Sequence, residues 1–118
     1  MKAAILSIGD ELTLGQCVDT NSAWLAGRLL QVGVETIEHC TVTDDRAAIA
    51  RAIGDLASRV DVLLLTGGLG PTPDDLTREA LGDVVTPGEP LATDEPALRR
   101  LGRLFALRSV GLEPEAVQ

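Results

Sequence analysis

Two short, almost uninterrupted apolar segments constrain the fold of this chain more than any other feature. They are Lys2 to Ile8 and Val60 to Leu65, and each runs directly into a polar turn that contains glycine. Apolar runs of this length are typical of parallel strands that helices cover on both faces. A third segment, Val34 to Val42, mixes charged and apolar residues, which indicates an edge strand.

Helical periodicity fills the intervals between these segments. Apolar residues recur at helical spacing around Leu25, around Ile53 and from Leu98 to Phe105, and Asp19 or Thr20 is suited to begin the first of these helices. The order β-α-β-α-β-loop-α allows parallel crossover connections. The sequence therefore predicts an α/β domain over residues 1–118, with a mostly parallel sheet in the strand order 2-1-3.

Composition excludes several classes of function. The net charge of −8 disfavours nucleic acid and anionic membranes as partners, and Trp24 and Phe105 are too few aromatics for a base-stacking platform. No apolar run approaches the roughly 20 residues that span a bilayer. Cys17 and Cys40 lack metal-binding spacing, so we expect free thiols and a cytoplasmic location.

Polar segments follow each predicted strand at its carboxyl end. In an open parallel sheet these ends share one edge, and ligands bind there, where the winding direction switches between strands 1 and 3. We therefore expect three segments to converge on one edge: Gly9-Asp10-Glu11, Thr43-Asp44-Asp45 and residues 66–77.

Residues 66–77 form the most informative of these segments. Gly67, Gly68 and Gly70 lack a Cβ, which lets a ligand such as a phosphate approach the bare backbone. The aspartates at 74 and 75 would repel an unaccompanied phosphate, so a divalent cation or a proton-transfer role is expected beside it. This combination indicates nucleotide-like chemistry.

Structural explanations compete with the functional one in the glycine-rich segment. The glycines alone are compatible with a simple turn. Thr72 could be the N-cap of a helix with Pro73 in its first turn, and Thr77 offers a second start for the same helix. Asp74 and Asp75 would then only offset the helix dipole.

The remaining acidic residues have similar alternatives. One of Asp44 and Asp45 is explained as a helix N-cap, and Asp10 and Glu11 could form a solvated turn. His39, the only histidine, is interpreted as a surface residue of the edge strand. No nucleophile–base pair is apparent in the sequence, which disfavours a serine or cysteine hydrolase triad.

Five motifs occur in order along the chain: Gly9-Asp10-Glu11-Leu12, Gly15-Gln16, Asp19-Thr20-Asn21-Ser22, Thr43-Asp44-Asp45, and Thr66-Gly-Gly-Leu-Gly-Pro-Thr-Pro-Asp-Asp-Leu-Thr77. Together they resemble the N-terminal domain of CinA-type competence/damage-inducible proteins. That domain shares the molybdopterin-binding fold of the MogA, MoaB and gephyrin enzymes. The resemblance implies a three-layer αβα domain that continues beyond residue 118 through another strand.

The resemblance also implies a set of site residues. Asp44 and Asp75 would be catalytic, and a divalent metal such as Mg²⁺ would be held by Asp10, Asp44, Asp45 and Asp75. Pterin or nucleotide would contact Gly9, Asp10, Glu11, Asn21, Thr66, Gly67, Gly68, Gly70, Thr72 and Thr77.

Two activities are associated with such domains, and the resemblance leaves both open. The molybdenum-cofactor branch transfers adenylyl groups from Mg-ATP to molybdopterin, whereas the CinA-like branch is associated with metal-dependent ADP-ribose pyrophosphatase activity. Leu69, where threonine is usual in the cofactor branch, favours the second activity. A binding module without turnover and an assembly domain without a ligand are further alternatives. Relatives form dimers or trimers, so a homo-oligomer is expected.

Overall fold

A three-stranded parallel sheet organises the computed structural model, which describes residues 1–109. The strand order is β2-β1-β3, as predicted. The predicted helices are also present, and the third strand begins two residues later than expected. The elements are β1 (Lys2–Ile8), α1 (Asp10–Thr13), α2 (Thr20–Gln31), β2 (Glu35–Val42), α3 (Arg46–Ala57), β3 (Val62–Thr66), α4 (Thr77–Val85) and α5 (Glu95–Ser109).

Alternation along β1 divides the domain into layers. One face of the sheet packs against α3 and α4, where the buried core consists of Ala4, Leu6, Ile8, Ile49, Ile53, Leu56 and Ala80. On the other face Ala3, Ile5 and Ser7 are fully buried. α2 covers β1 and β2 on that face through Ser22 and its apolar neighbours at helical spacing.

The expectation that the third strand is buried on both faces is wrong for the described residues. All five residues of Val62–Thr66 are half-buried, because β3 is an edge of the described sheet and α2 packs on β1 and β2 instead. The central strand is β1 alone.

Aspartate side chains cap the N-termini of two helices. Asp19 Oδ1 accepts a hydrogen bond from the backbone N–H of Ser22 at 3.2 Å, which caps α2 as predicted. Asp45 Oδ2 accepts from the N–H of Ala48 at 3.1 Å and caps α3. Asp45 is therefore the capping member of the 44–45 pair.

The helix after the glycine-rich segment begins at the second of its two predicted starts. α4 starts at Thr77, and the alternative start at Thr72 is wrong because Thr72 lies in a turn closed by a hydrogen bond from Asp75 N to Thr72 O at 3.0 Å. The short helix α1, at residues 10–13, was not predicted, since a single turn is too short to show periodicity.

The backbone at Gly67 and Gly68 is tightly confined. Both residues have positive φ, 87° and 64°, and a Cβ at Gly67 would collide with the carbonyl oxygen of Ile8. A Cβ at Gly68 would collide with the hydroxyl of Thr77. That hydroxyl is buried and donates to Gly67 O at 2.7 Å, while Thr77 N donates to Gly68 O at 3.2 Å. Only glycine fits either position.

Gly67→Ala tests this confinement against Gly88→Ala. Gly88 has φ of 80° but open space around its missing Cβ, so its substitution by alanine carries backbone strain alone, about 1–2 kcal/mol. In Gly67→Ala the new Cβ also overlaps the carbonyl oxygen of Ile8, and no side-chain rotation can relieve this overlap because the position of Cβ is fixed by the backbone. Urea denaturation should show the larger loss of unfolding free energy for Gly67→Ala, and equal losses would contradict the account.

Candidate functional site

The three polar segments meet at the carboxyl edge of the sheet, as predicted. Gly9 N donates to Val42 O at 3.0 Å, which joins the ends of β1 and β2. On the other side of β1, the turn at Gly67 packs against Ile8. The edge therefore carries the segments 9–11, 43–45 and 66–77 around the end of the central strand.

Asp10 and Asp44 are held together across this edge. Asp10 Oδ1 accepts from Asp44 N at 2.9 Å, and Asp44 Oδ2 accepts from Asp10 N at 3.2 Å. Each carboxylate thus uses one oxygen to fix the other residue's backbone. The second oxygen of each accepts no hydrogen bond from residues 1–109, so one oxygen of each carboxylate is not engaged within the described structure.

Asp75 is engaged within its own loop. Its Oδ2 accepts from the hydroxyl of Thr72 at 2.5 Å and from Thr72 N at 3.1 Å. The hydrogen bond from the Thr72 hydroxyl lowers the pKa of Asp75, so the carboxyl is ionised at neutral pH. This carboxylate sets the shape of the turn between Gly70 and Asp75.

The four aspartates of the expected metal site are not assembled as one cluster. Within the described part of the chain, no group of three or more His, Cys, Asp or Glu side chains is arranged to hold a metal ion. Asp45 caps α3 and Asp75 organises its turn, which leaves Asp10 and Asp44 as the pair that the fold brings together.

The glycine-rich turn presents backbone donors. The N–H groups of Gly68 and Leu69 have no acceptor among residues 1–109, and the Leu69 side chain is 56% exposed. Arg78 reaches back from α4, and its Nη2 donates to Gly70 O at 3.4 Å. Consecutive N–H groups at a turn of positive φ are suited to receive an anion.

The other predicted contact residues divide into exposed and structural ones. Thr77 is 1% exposed and its hydroxyl is used by Gly67 O, so it anchors the turn rather than facing a ligand. Asn21 is exposed in the first turn of α2, and Thr66 ends β3 beside Ser7. The Glu11 carboxylate folds back to within 2.9 Å of where a Cβ of the buried Gly9 would lie.

Sequence reasoning missed a polar cluster beneath α2, formed by Ser7, Asp19, Ser22 and His39 and called here the Asp19 cluster. Asp19 Oδ2 accepts from Ser7 Oγ at 2.5 Å, from Ser22 Oγ at 2.7 Å and from His39 Nε2 at 2.9 Å. His39 lies at the surface, as interpreted, with 40% of its side chain exposed, but its hydrogen bond to Asp19 was not predicted. The available signal was Ser7, a hydroxyl inside an apolar strand, which requires a partner when buried.

Hydrogen bonds determine the direction in which the pKa of Asp19 is shifted. Burial alone would raise its pKa, but the hydrogen bonds from Ser7, Ser22 and His39 outweigh that effect and lower the pKa to about 2. The cluster therefore contains a stable carboxylate anion at neutral pH.

A groove of about 750 Å³ between α4 and α5 lies apart from these groups. Its walls are mainly apolar, and Arg78 is the residue it shares with the glycine-rich turn. The lining includes Leu81, Val85, Leu91, Ala97, Leu98 and Leu101.

No helix within residues 1–109 is both long and apolar enough to cross a membrane.

Comparisons with known proteins agree with this architecture. A family profile described as a probable molybdopterin binding domain matches residues 4–116. The chain is 49% identical over 111 residues to a CinA-like protein of Geobacter sp. (strain M21) and 44% identical over 116 residues to one of Salinibacter ruber. These alignments cover 94% and 98% of this chain but only 26% and 28% of the relatives. The chain thus spans about a quarter of their length.

Solved structures show the same fold. CinA from Thermoplasma acidophilum, described as being of unknown function, matches with a TM-score of 0.78 and 30% identity over 89% of this chain and 61% of its own. The molybdopterin biosynthesis enzyme MoaB from Thermus thermophilus matches with a TM-score of 0.64 and 31% identity over 91% of this chain and 65% of its own. The predicted MogA/MoaB-like α/β fold and the resemblance to CinA-like proteins are confirmed.

Asp19→Asn tests the electrostatics of the Asp19 cluster. The folded pKa of about 2 lies below the usual 3.8, so the ionised carboxylate stabilises the fold above pH 3.8, and this contribution is lost as the pH falls through 2. We expect Asp19→Asn to lower the free energy of unfolding at neutral pH by about 1–3 kcal/mol. The difference from wild type should shrink between pH 3.8 and 2.

Asp45→Asn is the matched control in this experiment, because Asp45 also caps a helix but accepts one hydrogen bond from a single residue. Its effect on stability should be smaller. An Asp19→Asn deficit that persists unchanged to pH 2 would contradict the assignment.

Proposed function

Because this chain belongs to the probable molybdopterin binding domain family, we propose that its carboxyl edge binds a nucleotide pyrophosphate. The proposed reaction is metal-dependent hydrolysis of ADP-ribose, in which water cleaves the pyrophosphate to give AMP and ribose 5-phosphate. One observation carries the proposal: the confined turn at Gly67 and Gly68 lies beside the paired carboxylates of Asp10 and Asp44.

The backbone of the glycine-rich turn supplies the phosphate contact. The consecutive N–H groups of Gly68 and Leu69 have no acceptor among residues 1–109, and the neighbouring Gly67 and Leu69 are exposed. Thr77 holds this turn in place through Gly67 O and Gly68 O, so the donors are ordered before a ligand binds. Preorganised donors lose little entropy on binding.

The proposal assigns a divalent metal to the carboxylate pair of Asp10 and Asp44. Mg²⁺ in nucleotide sites is commonly held by one or two carboxylates together with substrate phosphates. Asp10 and Asp44, each with one oxygen not used by residues 1–109, meet that requirement without a third protein ligand. When bound, the metal would polarise a phosphoryl oxygen and lower the pKa of a bound water.

The proposal assigns catalytic roles to two aspartates and a contact role to Asn21. Asp44 is the candidate catalytic carboxylate because Asp10 N fixes its orientation at the edge of the sheet. Asp75 keeps its predicted catalytic role as a proposal, and its bonds to Thr72 give it a second role in shaping the loop. Asn21 is exposed at the start of α2, where it can contact the nucleoside part.

Adenylyl transfer to molybdopterin is the second candidate. It is favoured by the family description and by the structural similarity to MoaB, a molybdopterin biosynthesis enzyme. The same turn and the same carboxylate pair would serve ATP in that reaction. Molybdopterin or nucleotide binding without turnover would use the same edge.

The proposal also includes a cellular location and an oligomeric state. The described structure contains the free thiols Cys17 and Cys40, which suits a reducing compartment such as the cytoplasm. Within residues 1–109 no further strand pairs with the outer edge of β3, an edge suited to pairing with additional structure, and we include a homo-oligomer in the proposal.

Calorimetric titration of ADP-ribose in the presence of Mg²⁺, with AMP measured as product, tests the function through Asp44→Asn. Wild type should bind and release AMP. Asp44→Asn should lower turnover by about 100-fold or more, because a metal-holding carboxylate is lost. Asp45→Asn, whose carboxylate caps α3, should stay close to wild type. Turnover that survives in Asp44→Asn would refute this role.

Asp75→Asn tests the second predicted catalytic carboxylate. The amide oxygen can still accept from Thr72, so the loop and the fold should persist while the charge is lost. We expect an unchanged circular dichroism spectrum with turnover abolished. The neighbouring Asp74, exposed and without a hydrogen bond from the described residues, provides Asp74→Asn as the control. An active Asp75→Asn would restrict Asp75 to shaping the loop.

A further inference from the structure

The Asp19 cluster joins three elements of the fold beneath the first turn of α2. Ser7 comes from β1, His39 from β2, and Asp19 and Ser22 from the start of α2. Ser7 is fully buried and Ser22 is 4% exposed, whereas the side chain of His39 is 40% exposed. The imidazole therefore closes the cluster on its solvent side.

Asp19 accepts more hydrogen bonds than a helix cap requires. Its Oδ1 accepts from Ser22 N, which is the capping bond, and its Oδ2 accepts from two hydroxyls and from the imidazole. A cap needs one acceptor for the first turn of the helix. The extra donors fix the Asp19 side chain, and with it the first turn of α2, against both β1 and β2.

The hydrogen on His39 can be placed from the chemistry of its partner. The Asp19 carboxylate is ionised and can only accept, so Nε2 must carry the hydrogen at 2.9 Å from Oδ2. This holds for the neutral Nε2–H tautomer and for the imidazolium alike. The imidazole is thus a donor to Asp19 in either charge state.

The cluster adjoins the glycine-rich turn. In the sheet Ser7 lies opposite Thr66, the residue that precedes Gly67. Thr77 anchors the turn from α4, and the Asp19 cluster lies on the α2 side of the same strand ends. The first turn of α2, with the exposed Asn21, is therefore linked through Ser7 to the strand position that faces Thr66, the residue before the turn whose N–H groups are proposed to hold phosphate.

From this geometry we propose that His39 is a positioning residue for the ligand site: by donating to Asp19, it fixes the first turn of α2 on Ser7 of β1, opposite the residue that leads into the turn at Gly67. The proposal rests on the proposed function for the identity of the ligand. His39 itself touches no reacting atom, so its loss should disturb the placement of Asn21 and weaken ligand binding.

Three variants of the 118-residue chain test this role: His39→Leu removes the donor, His39→Gln retains an N–H near the position of Nε2, and Cys40→Ala is the control. Cys40 is the neighbour of His39 in β2 and packs into the core on the opposite face of the sheet. Two measurements apply to each variant. They are the amide ¹H–¹⁵N signals of residues 20–22 and 66–68 without ligand, and the Kd for ADP-ribose with Mg²⁺.

His39→Leu should shift these amide signals and weaken binding about tenfold, the equivalent of one hydrogen bond. His39→Gln should restore both, and Cys40→Ala should leave both near wild type. The role would be overturned if His39→Leu kept the wild-type amide signals. It would also be overturned if His39→Gln or Cys40→Ala changed the signals and the Kd as much as His39→Leu does. If wild type binds no ADP-ribose, the proposed function fails, and the amide signals alone decide whether His39 positions α2.

Discussion

The close approach between the backbone at Gly67 and the end of β1 at Ile8 is the constraint on which the rest of the site depends. It requires glycine at a positive φ, and it brings the third polar segment against the central strand. Thr77 uses both its hydroxyl and its N–H to secure the turn, so α4 begins where the turn ends. A turn fixed in this way can present N–H groups to a ligand without first being ordered.

Much of the fold could be predicted because it depends on patterns that extend over many residues. The apolar run at residues 2–8 identified the central strand, and helical spacing identified α2 and α3. The strand order then placed three polar segments on one edge, and the reciprocal hydrogen bonds of Asp10 and Asp44 agree with that placement. Such arguments depend on the direction of the strands and on the spacing of apolar residues, and both can be inferred from the sequence.

The partners of individual polar side chains could not be predicted in the same way. Asp45, Asp75 and Asp10 look alike as acidic residues in loops, yet one caps a helix, one shapes a turn, and one pairs across two strand ends. His39 is hydrogen-bonded to Asp19 because the register of β2 on β1 places His39 beneath α2. These choices depend on tertiary packing of distant segments, and no local pattern specifies them.

The central claim is that phosphate binds at the turn beside Asp10 and Asp44. The most direct measurement is a titration of ¹⁵N-labelled protein with ADP-ribose in the presence of Mg²⁺, followed by amide chemical shifts. The account predicts the largest shifts at Gly68 and Leu69, with Asp10 and Asp44 shifting as well. Shifts confined to the groove between α4 and α5, or no shifts at all, would contradict it.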